Sequence, residues 1–162
     1  GSGALAVALA RRVPRAYVVA SDISPAALAV AAENVARYDL GGRVGLLCAD
    51  LLSALIGPLH VVLANLPYIS RERLAVLPPD VADYEPRLAL DGGDDGLALI
   101  MRLLAQAPER LATPGLLLLE IDDGQGQAVA DRARQCWPAA TVAVLPDYAG
   151  LERVVRIETR AS

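Results

Sequence analysis

Two short, unbroken apolar runs limit the folds open to this chain more than any other feature. They are Val44–Cys48 and the run from His60 to Ala64, and turn residues bound both. Continuous rather than alternating apolar runs are typical of strands buried on both faces, as in parallel sheets covered by helices. A polar residue follows each run, Asp50 after the first and Asn65 after the second. We therefore predict a sheet of buried, mainly parallel strands with polar groups at their ends.

Segments with helical spacing separate the predicted strands, which favours an α/β protein. The predicted helices are 4–13, one that begins at Ser24-Pro25, one capped by Asp94-Asp95 with Leu97, Ile100, Leu104 and Ala107 on its core face, and 125–136. The other predicted strands are 17–20, 116–121 after a break at Pro114-Gly115, 141–145 and 153–158. The last two strands are joined by too few residues for a crossover helix, so we expect them to be antiparallel.

Composition excludes several other classes of protein. The 162 residues are 54% hydrophobic and 21% charged, which fits one folded domain and not a disordered chain. No apolar stretch approaches the roughly 18 residues that a membrane span needs. Cys48 and Cys136 are far apart and His60 is the only histidine. We expect the cysteines to be buried free thiols, His60 to pack in the core or at a strand start, and no metal site.

The charge distribution weakens the case for a nucleic-acid substrate. The net charge is −4, every basic residue is an arginine, and only Arg11 and Arg12 are adjacent. A surface that tracks a phosphate backbone normally gathers its basic residues into a patch or stripe. A peptide acceptor is therefore favoured over a nucleic acid.

Residues at the ends of the first predicted strands suggest a nucleoside-binding site. Gly1-Ser2-Gly3 precedes a predicted helix, and Asp22 follows 19 residues after Gly3, near the spacing of the ribose-binding acid in dinucleotide folds. Asp50 could accept a hydrogen bond from an adenine amino group. Two other interpretations remain open, since Gly-Ser-Gly also resembles an expression linker and Asp50 could cap a turn over 51–54.

The sequence Asn65-Leu66-Pro67-Tyr68 directly after a strand is the sharper signal. An amide or aromatic amino nitrogen is a poor nucleophile, so an enzyme that methylates one needs acceptors for its N–H bonds and precise alignment with the methyl group. The Asn65 side-chain oxygen and the Leu66 carbonyl are such acceptors, Pro67 favours an extended Leu66, and Tyr68 offers a flat face. An Asn-initiated turn with a packed tyrosine is the alternative interpretation.

Together these motifs resemble the class I methyltransferases that use S-adenosylmethionine. The resemblance is closest to the protein-(glutamine-N5) methyltransferases of the HemK/PrmC type, which act on peptide chain release factors. It covers nearly the whole chain and depends on Gly1-Ser2-Gly3, 21–25, Asn65-Leu66-Pro67-Tyr68, 84–93, Glu120-Ile121 with Gly124-Gln125-Gly126, and 147–154. The segment 84–93 is the most specific to this subgroup.

The resemblance implies a Rossmann-like sheet with an antiparallel last strand and a cytoplasmic enzyme of translation termination. It implies S-adenosylmethionine as cofactor, and no metal and no membrane partner. The implied catalytic residues are Asn65, Leu66, Pro67 and Tyr68, and the implied cofactor-binding residues are Gly1, Ser2, Gly3, Asp22, Ile23, Asp50, Leu51 and Asn65.

The chain also departs from the family pattern. Leu66 replaces the usual first proline of the Asn-Pro-Pro-Tyr motif, and Asp122 stands where the family commonly has glycine. The chain starts inside the glycine-rich motif, so we expect residues 1–162 to be a catalytic domain without its first strand and without the helical substrate-recognition domain. Absence of that central strand would leave two neighbouring strands unpaired.

Two other functions remain open from the sequence. The same motif serves enzymes that methylate exocyclic amino groups of adenine or cytosine, so a nucleic acid is an alternative acceptor. The chain could also bind S-adenosylmethionine without activity of its own.

Overall fold

A computed structural model describes residues 1–76 and 86–160 of the chain. Its helices are α1 (Ala4–Arg12), α2 (Pro25–Arg37), α3 (Arg71–Leu74), α4 (Ala98–Gln106) and α5 (Gly126–Cys136), with short 3₁₀ turns at Arg87–Ala89 and Ala107–Glu109. Its strands are β1 (Val18–Asp22), β2 (Val44–Cys48), β3 (Leu59–Asn65), β4 (Leu111–Glu120), β5 (Thr141–Pro146) and β6 (Glu152–Thr159). These elements form two compact units, Gly1–Leu55 and Ile56–Ser162.

The first unit is a two-stranded parallel sheet with two helices. β1 and β2 pair in register from Val18 opposite Val44 to Asp22 opposite Cys48. Ser24 caps α2, since its side chain accepts a hydrogen bond from the Ala27 amide at 3.2 Å, and Pro25 occupies the first turn. The unit buries a core of six side chains from both helices, β2 and the turn before it: Ala6, Val7, Ala10, Val35, Leu40 and Val44.

The second unit is a four-stranded mixed sheet in the order β3-β4-β6-β5. β3 and β4 are parallel, whereas β6 is antiparallel to both of its neighbours. The largest fully buried side chains come from α4, α5, β4, β6 and the residue directly after β4: Ile100, Leu104, Leu117, Leu119, Ile121, Val129, Val155 and Ile157. The predicted α/β class, the mainly parallel strands and the antiparallel last strand are confirmed.

The start of β4 corrects one prediction. Pro114-Gly115 was expected to precede the strand, but β4 begins at Leu111 and runs through both residues. Leu59 pairs with Leu111 and Val61 with Leu116, so β4 carries a bulge opposite β3. Because a bulge leaves residues outside the regular ladder, it can hold a proline that has no N–H to donate.

Four further expectations are wrong in detail. Cys48 is exposed at the end of β2, and His60, which lies at the start of β3 as expected, is exposed there rather than packed. Val19 is 39% exposed, so β1 is not buried on both faces: Val18 and Ala20 pack on the core of the first unit and Val19 points away from it. The cap predicted at 94–95 lies further from the helix than expected: α4 begins at Ala98, and the Asp95 carboxylate accepts a 2.9 Å hydrogen bond from the amide of Leu97, the residue before the helix.

No helix among residues 1–76 and 86–160 has the length and apolar character needed to cross a membrane. In the same part of the chain, no group of three or more His, Cys, Asp or Glu residues is arranged to hold a metal ion.

The turn between β5 and β6 is organised by the carboxylate of Asp147. One oxygen accepts hydrogen bonds from the amides of Ala149 and Leu151, at 2.9 and 3.1 Å, and the other lies 3.3 Å from two guanidinium nitrogens of Arg153. Desolvation raises the pKa of Asp147, but these hydrogen bonds and the charge of Arg153 outweigh it and hold the pKa below its ordinary value. The ionised form is therefore the one that stabilises the turn.

We expect Asp147→Asn to lower the melting temperature at pH 6, because it removes the charge that Arg153 and two amides bind. A depressed carboxyl pKa contributes stability above the unfolded value, near 3.9, and loses it as the pH falls through the folded value. The gap in melting temperature between parent and variant should therefore narrow from pH 6 to pH 3 in a calorimetric series. A gap that stays constant with pH would contradict this assignment.

Candidate active site

The ends of β1 and β2 bring several predicted cofactor residues together in the first unit. Parallel pairing continues past the strands, where the Ala49 amide donates to the Asp22 carbonyl at 3.1 Å. The Ser21 hydroxyl donates to the carbonyl of Leu51 at 3.3 Å, and Leu51 has a positive φ of 53°. Asp22 and the Asp50-Leu51 pair therefore lie beside each other at one edge of this sheet.

The Asp22 carboxylate closes the turn that follows β1. Its Oδ1 accepts a hydrogen bond from the Ser24 amide at 2.7 Å, and its Oδ2 contacts the amino group of Gly1. A carboxylate offers about four lone-pair sites, so two contacts leave acceptor capacity for a ligand. The next residue, Ile23, is 54% exposed and adds an apolar surface beside the acid.

The glycine-rich segment adjoins the same edge. Gly3 has a φ of 75° and precedes α1, and a Cβ there would lie 3.0 Å from the Ala31 Cβ. Asn34 holds the segment through a 3.0 Å hydrogen bond from its side-chain nitrogen to the Ser2 carbonyl. The structure thus gathers seven of the predicted cofactor residues at one end of the first unit: Gly1, Ser2, Gly3, Asp22, Ile23, Asp50 and Leu51.

Asp50 adjoins the turn that it was alternatively expected to cap. Its carbonyl accepts a hydrogen bond from the Ser53 amide at 3.1 Å, at the start of a turn over residues 51–54. This bond uses the backbone oxygen of Asp50, so the cap and the ligand contact of its carboxylate both stay predictions.

The predicted catalytic motif lies in the second unit, where Asn65 is the last residue of β3. Asn65 is exposed, and no hydrogen bond engages its side chain in the part of the chain that the structure describes. Leu66, Pro67 and Tyr68 follow and are partly buried. The amide group of Asn65 is therefore available to a ligand at the carboxyl end of a parallel strand.

A glycine-rich segment holds the motif from one side. Ile69 forms a bridge with Asp91, in which its amide donates to the Leu90 carbonyl at 3.1 Å and its carbonyl accepts from the Gly92 amide at 2.9 Å. A Cβ on Gly92 would lie 2.8 Å from the Pro67 carbonyl oxygen, closer than real Cβ contacts. The segment 84–93, identified as the most specific of the motifs, thus packs its described end against the motif. Tyr84 and Glu85 lie outside the described residues.

Tyr68 is tied to the rest of the second unit at both ends. Its hydroxyl is 3.5 Å from Oε1 of Glu120, the last residue of β4, and its carbonyl accepts a 3.1 Å hydrogen bond from Nε2 of Gln125. Gly96, whose φ is 78°, passes so close that a Cβ on it would lie 2.1 Å from the Tyr68 carbonyl oxygen. Only glycine fits at position 96 without moving the motif.

Sequence patterns assign no role to Gly96 or Gln125, nor to the ion pair between Arg73 of α3 and Asp122. Gly124-Gln125-Gly126 was recognised only as part of the resemblance. The one available signal for Gly96 was the density of glycines after Asp91, which is typical of backbones in close contact.

Comparisons with known proteins bear on the whole chain. Residues 1–77 match the family model described as a methyltransferase domain. The release factor glutamine methyltransferase of Moorella thermoacetica is 53% identical over 154 residues, which cover 94% of this chain and 54% of that protein. The ribosomal protein uL3 glutamine methyltransferase of Bradyrhizobium diazoefficiens is 44% identical over 134 residues, which cover 82% of this chain and 41% of that protein.

Solved structures show the same fold. A methyltransferase from Pyrococcus furiosus superposes with a TM-score of 0.72 at 17% identity, covering 99% of this chain and 72% of that one. The chain spans about half the length of the curated relatives it matches. These findings confirm the predicted resemblance: the chain is similar over most of its length to protein glutamine methyltransferases, and residues 1–77 match a methyltransferase-domain model.

We expect Gly96→Ala to lower the free energy of unfolding by about 1–3 kcal/mol more than Gly150→Ala does. Both glycines have a positive φ, 78° and 85°, but a Cβ on Gly150 meets nothing within 4 Å. The difference between the two variants in urea unfolding isolates the clash with Tyr68 from the backbone strain. Equal losses would show that Gly96 is needed for its φ alone.

Proposed function

We propose that this chain transfers a methyl group from S-adenosylmethionine to the side-chain amide nitrogen of a glutamine in a peptide chain release factor. The observation that carries the proposal is the strand-end position of Asn65. Its side chain has no hydrogen bond among the described residues, whereas the loop after it is held on several sides. The names of the curated relatives support the same activity, although the chain aligns with only about half of their length.

The chemistry of an amide acceptor explains why these residues suit the task. The lone pair of an amide nitrogen is delocalised into its carbonyl, so the nitrogen must be oriented for attack. The Asn65 side-chain oxygen and the Leu66 carbonyl each accept one N–H of the glutamine amide, which fixes its rotation. Tyr68 supplies a flat surface for the planar amide group. The two acceptors would also stabilise the positive charge that develops on the nitrogen as the N–C bond forms and the sulfonium S–C bond breaks. S-adenosylhomocysteine would leave as the neutral thioether, and the nitrogen would lose one of its two protons to solvent.

The residues at the end of the first unit fit an adenosine ligand by their chemistry. S-adenosylmethionine supplies an electrophilic methyl on a sulfonium. Asp22 accepts from the ribose hydroxyls, Ile23 contacts the base with its exposed side chain, and the carboxylate of Asp50 accepts from the adenine amino group. The backbone around Gly1-Ser2-Gly3 lets the ligand approach closely, and Leu51 borders the base.

A ribosomal protein is the second candidate acceptor, because a relative named for glutamine methylation of uL3 is 44% identical to this chain. Both candidates present a glutamine amide, so the roles of Asn65 and Leu66 are the same. A parallel assay of methyl transfer to a release factor and to uL3 decides between them, and a nucleic-acid substrate in the same assay tests the amino-methyltransferase alternative. Release factors and ribosomes imply the cytoplasm as the place of action. If the chain binds S-adenosylmethionine but transfers a methyl group to none of these substrates, the alternative of a cofactor-binding domain without activity of its own would hold.

We expect Asp22→Asn to weaken S-adenosylmethionine binding by about 1.5–3 kcal/mol, the range for a hydrogen bond to a charged group. Asparagine keeps an oxygen for the Ser24 amide, so the turn after β1 should persist. Calorimetric titration with the cofactor gives the affinity, and Asp39→Asn, an exposed acid in the same unit, is the matched control. Affinity equal to that of the parent would refute the ribose assignment.

We expect Asn65→Ala to slow methyl transfer by about 10²–10³-fold, as loss of one preorganised hydrogen-bonding group does in other enzymes. Cofactor affinity should change much less. The measurement is single-turnover methyl transfer to a release factor, with the substitution made in the whole protein that contains this sequence. His60→Ala, an exposed substitution on the same strand, should keep the parent rate. A variant that retains more than about a third of the rate has lost well under 1 kcal/mol, and Asn65 would then be only a turn residue.

A further inference from the structure

The side chain of Gln125 bridges two parts of the second unit that are far apart in sequence. Its Oε1 accepts a hydrogen bond from the Asp122 amide at 2.9 Å, and its Nε2 donates to the Tyr68 carbonyl at 3.1 Å. The same nitrogen is 3.5 Å from the Asp95 carbonyl. An amide side chain is suited to this position because it presents a donor and an acceptor side by side.

The contact with Tyr68 falls where the motif is already closely packed. A Cβ on Gly96 would lie 2.1 Å from the Tyr68 carbonyl oxygen and 2.7 Å from Nε2 of Gln125, so three segments meet at this point. On the other side of the motif, Gly92 packs against the Pro67 carbonyl. The carbonyl groups of Pro67 and Tyr68 are thus both fixed from outside the motif.

Fixing these two carbonyls also orients the carbonyl of Leu66. The peptide bond between Leu66 and Pro67 is planar, and the proline ring locks φ of Pro67 near −65°. One soft dihedral, ψ of Pro67, therefore remains between the Leu66 and Pro67 peptide planes. The Gly92 backbone beside the Pro67 carbonyl restricts this dihedral, and the hydrogen bond from Gln125 holds the chain one residue further on, at the Tyr68 carbonyl.

The residues around Gln125 are held by a second contact. The carboxylate of Asp122, whose amide is bound by Gln125, pairs with the guanidinium of Arg73 in α3. The 122–125 segment therefore contacts the chain twice, at Tyr68 within the motif and at Arg73 after it.

We propose that Gln125 is a positioning residue, which holds the Leu66 carbonyl in the orientation that accepts the substrate amide. This inference rests on the proposed function for its catalytic consequence, while its structural part concerns the motif alone. Gln125 acts through Tyr68 and does not itself contact the substrate.

A role in the start of α5 makes the opposite prediction for one substitution. Gln125 precedes α5 and makes no side-chain cap with it. An acid at the start of a helix is stabilised by the helix dipole, so Gln125→Glu should raise the melting temperature if helix stability is its role. As a positioning residue, the glutamate would set a carboxylate oxygen against the Tyr68 carbonyl, and it should loosen the motif.

The test compares Gln125→Ala and Gln125→Glu with the control Gln127→Ala. Gln127 is exposed on α5, and its side chain bonds only to Asp131 among the described residues. Hydrogen exchange measured on peptides that cover 66–72 and 90–96 reports the Ile69 and Gly92 amides. Both Gln125 variants should exchange faster there, and the control should match the parent.

The catalytic part of the test is single-turnover methyl transfer at saturating cofactor. Both Gln125 variants should be slowed about 10–100-fold, the scale of a small misplacement of reacting groups, with cofactor affinity unchanged. Parent-like exchange in both variants would overturn the positioning role, whatever their activity. If the variants exchange hydrogen faster but transfer the methyl group as fast as the parent does, the link between Gln125 and catalysis would be overturned. A parent protein that methylates no glutamine substrate would refute the proposed function instead, while the exchange data would still decide whether Gln125 holds the motif.

Discussion

The close approach of the Gly96 backbone to the Tyr68 carbonyl is the contact on which the rest of the second unit's site depends. There is no room for any side chain at position 96, where a Cβ would lie 2.1 Å from that oxygen. Glycine loses more conformational entropy on folding than other residues, so a segment with glycines at 92, 93 and 96 is costly to order. In return, the backbone of the glycine-rich segment packs directly against the backbone of the motif, so each segment limits the conformation of the other.

At the end of β3, the backbone groups that are held in place and the side chain that can bind a ligand belong to different residues. The carbonyl groups of Pro67 and Tyr68 are held by neighbours, whereas the side chain of Asn65 has no partner among residues 1–76 and 86–160. A site that binds a planar amide needs rigid acceptors, because every acceptor that must be reoriented during the reaction adds to the barrier. Leu66 in place of a proline removes one source of that rigidity, so the external contacts at Pro67 and Tyr68 carry more of it.

The parts of the molecule that the sequence predicts well are those set by local patterns. Val44–Cys48 is a strand over the predicted residues, and Ser24-Pro25 starts α2 as expected, because period, caps and turn residues act within a few positions. The strand-end position of Asn65 follows from the same local reasoning. Gln125 could not be assigned in this way, since its partner Tyr68 is 57 residues away. The start of β4 was predicted wrongly for a related reason, since the bulge that holds Pro114 depends on pairing with β3, which no local pattern shows.

The charge pattern around the motif argues for a peptide acceptor over a nucleic acid. Two arginines follow the motif in α3, and arginines without an acidic partner would attract phosphates. Arg71 is instead 2.6 Å from Asp94, and Arg73 pairs with Asp122. Each aspartate cancels the positive charge that a phosphate would meet, and Asp122 stands at a position where the family commonly has glycine. Because non-specific attraction to nucleic acid comes from uncompensated Lys and Arg, this face of the second unit offers little of it. Under the proposed function the acceptor is an uncharged glutamine side chain, which would depend on the hydrogen-bond acceptors of Asn65 and Leu66.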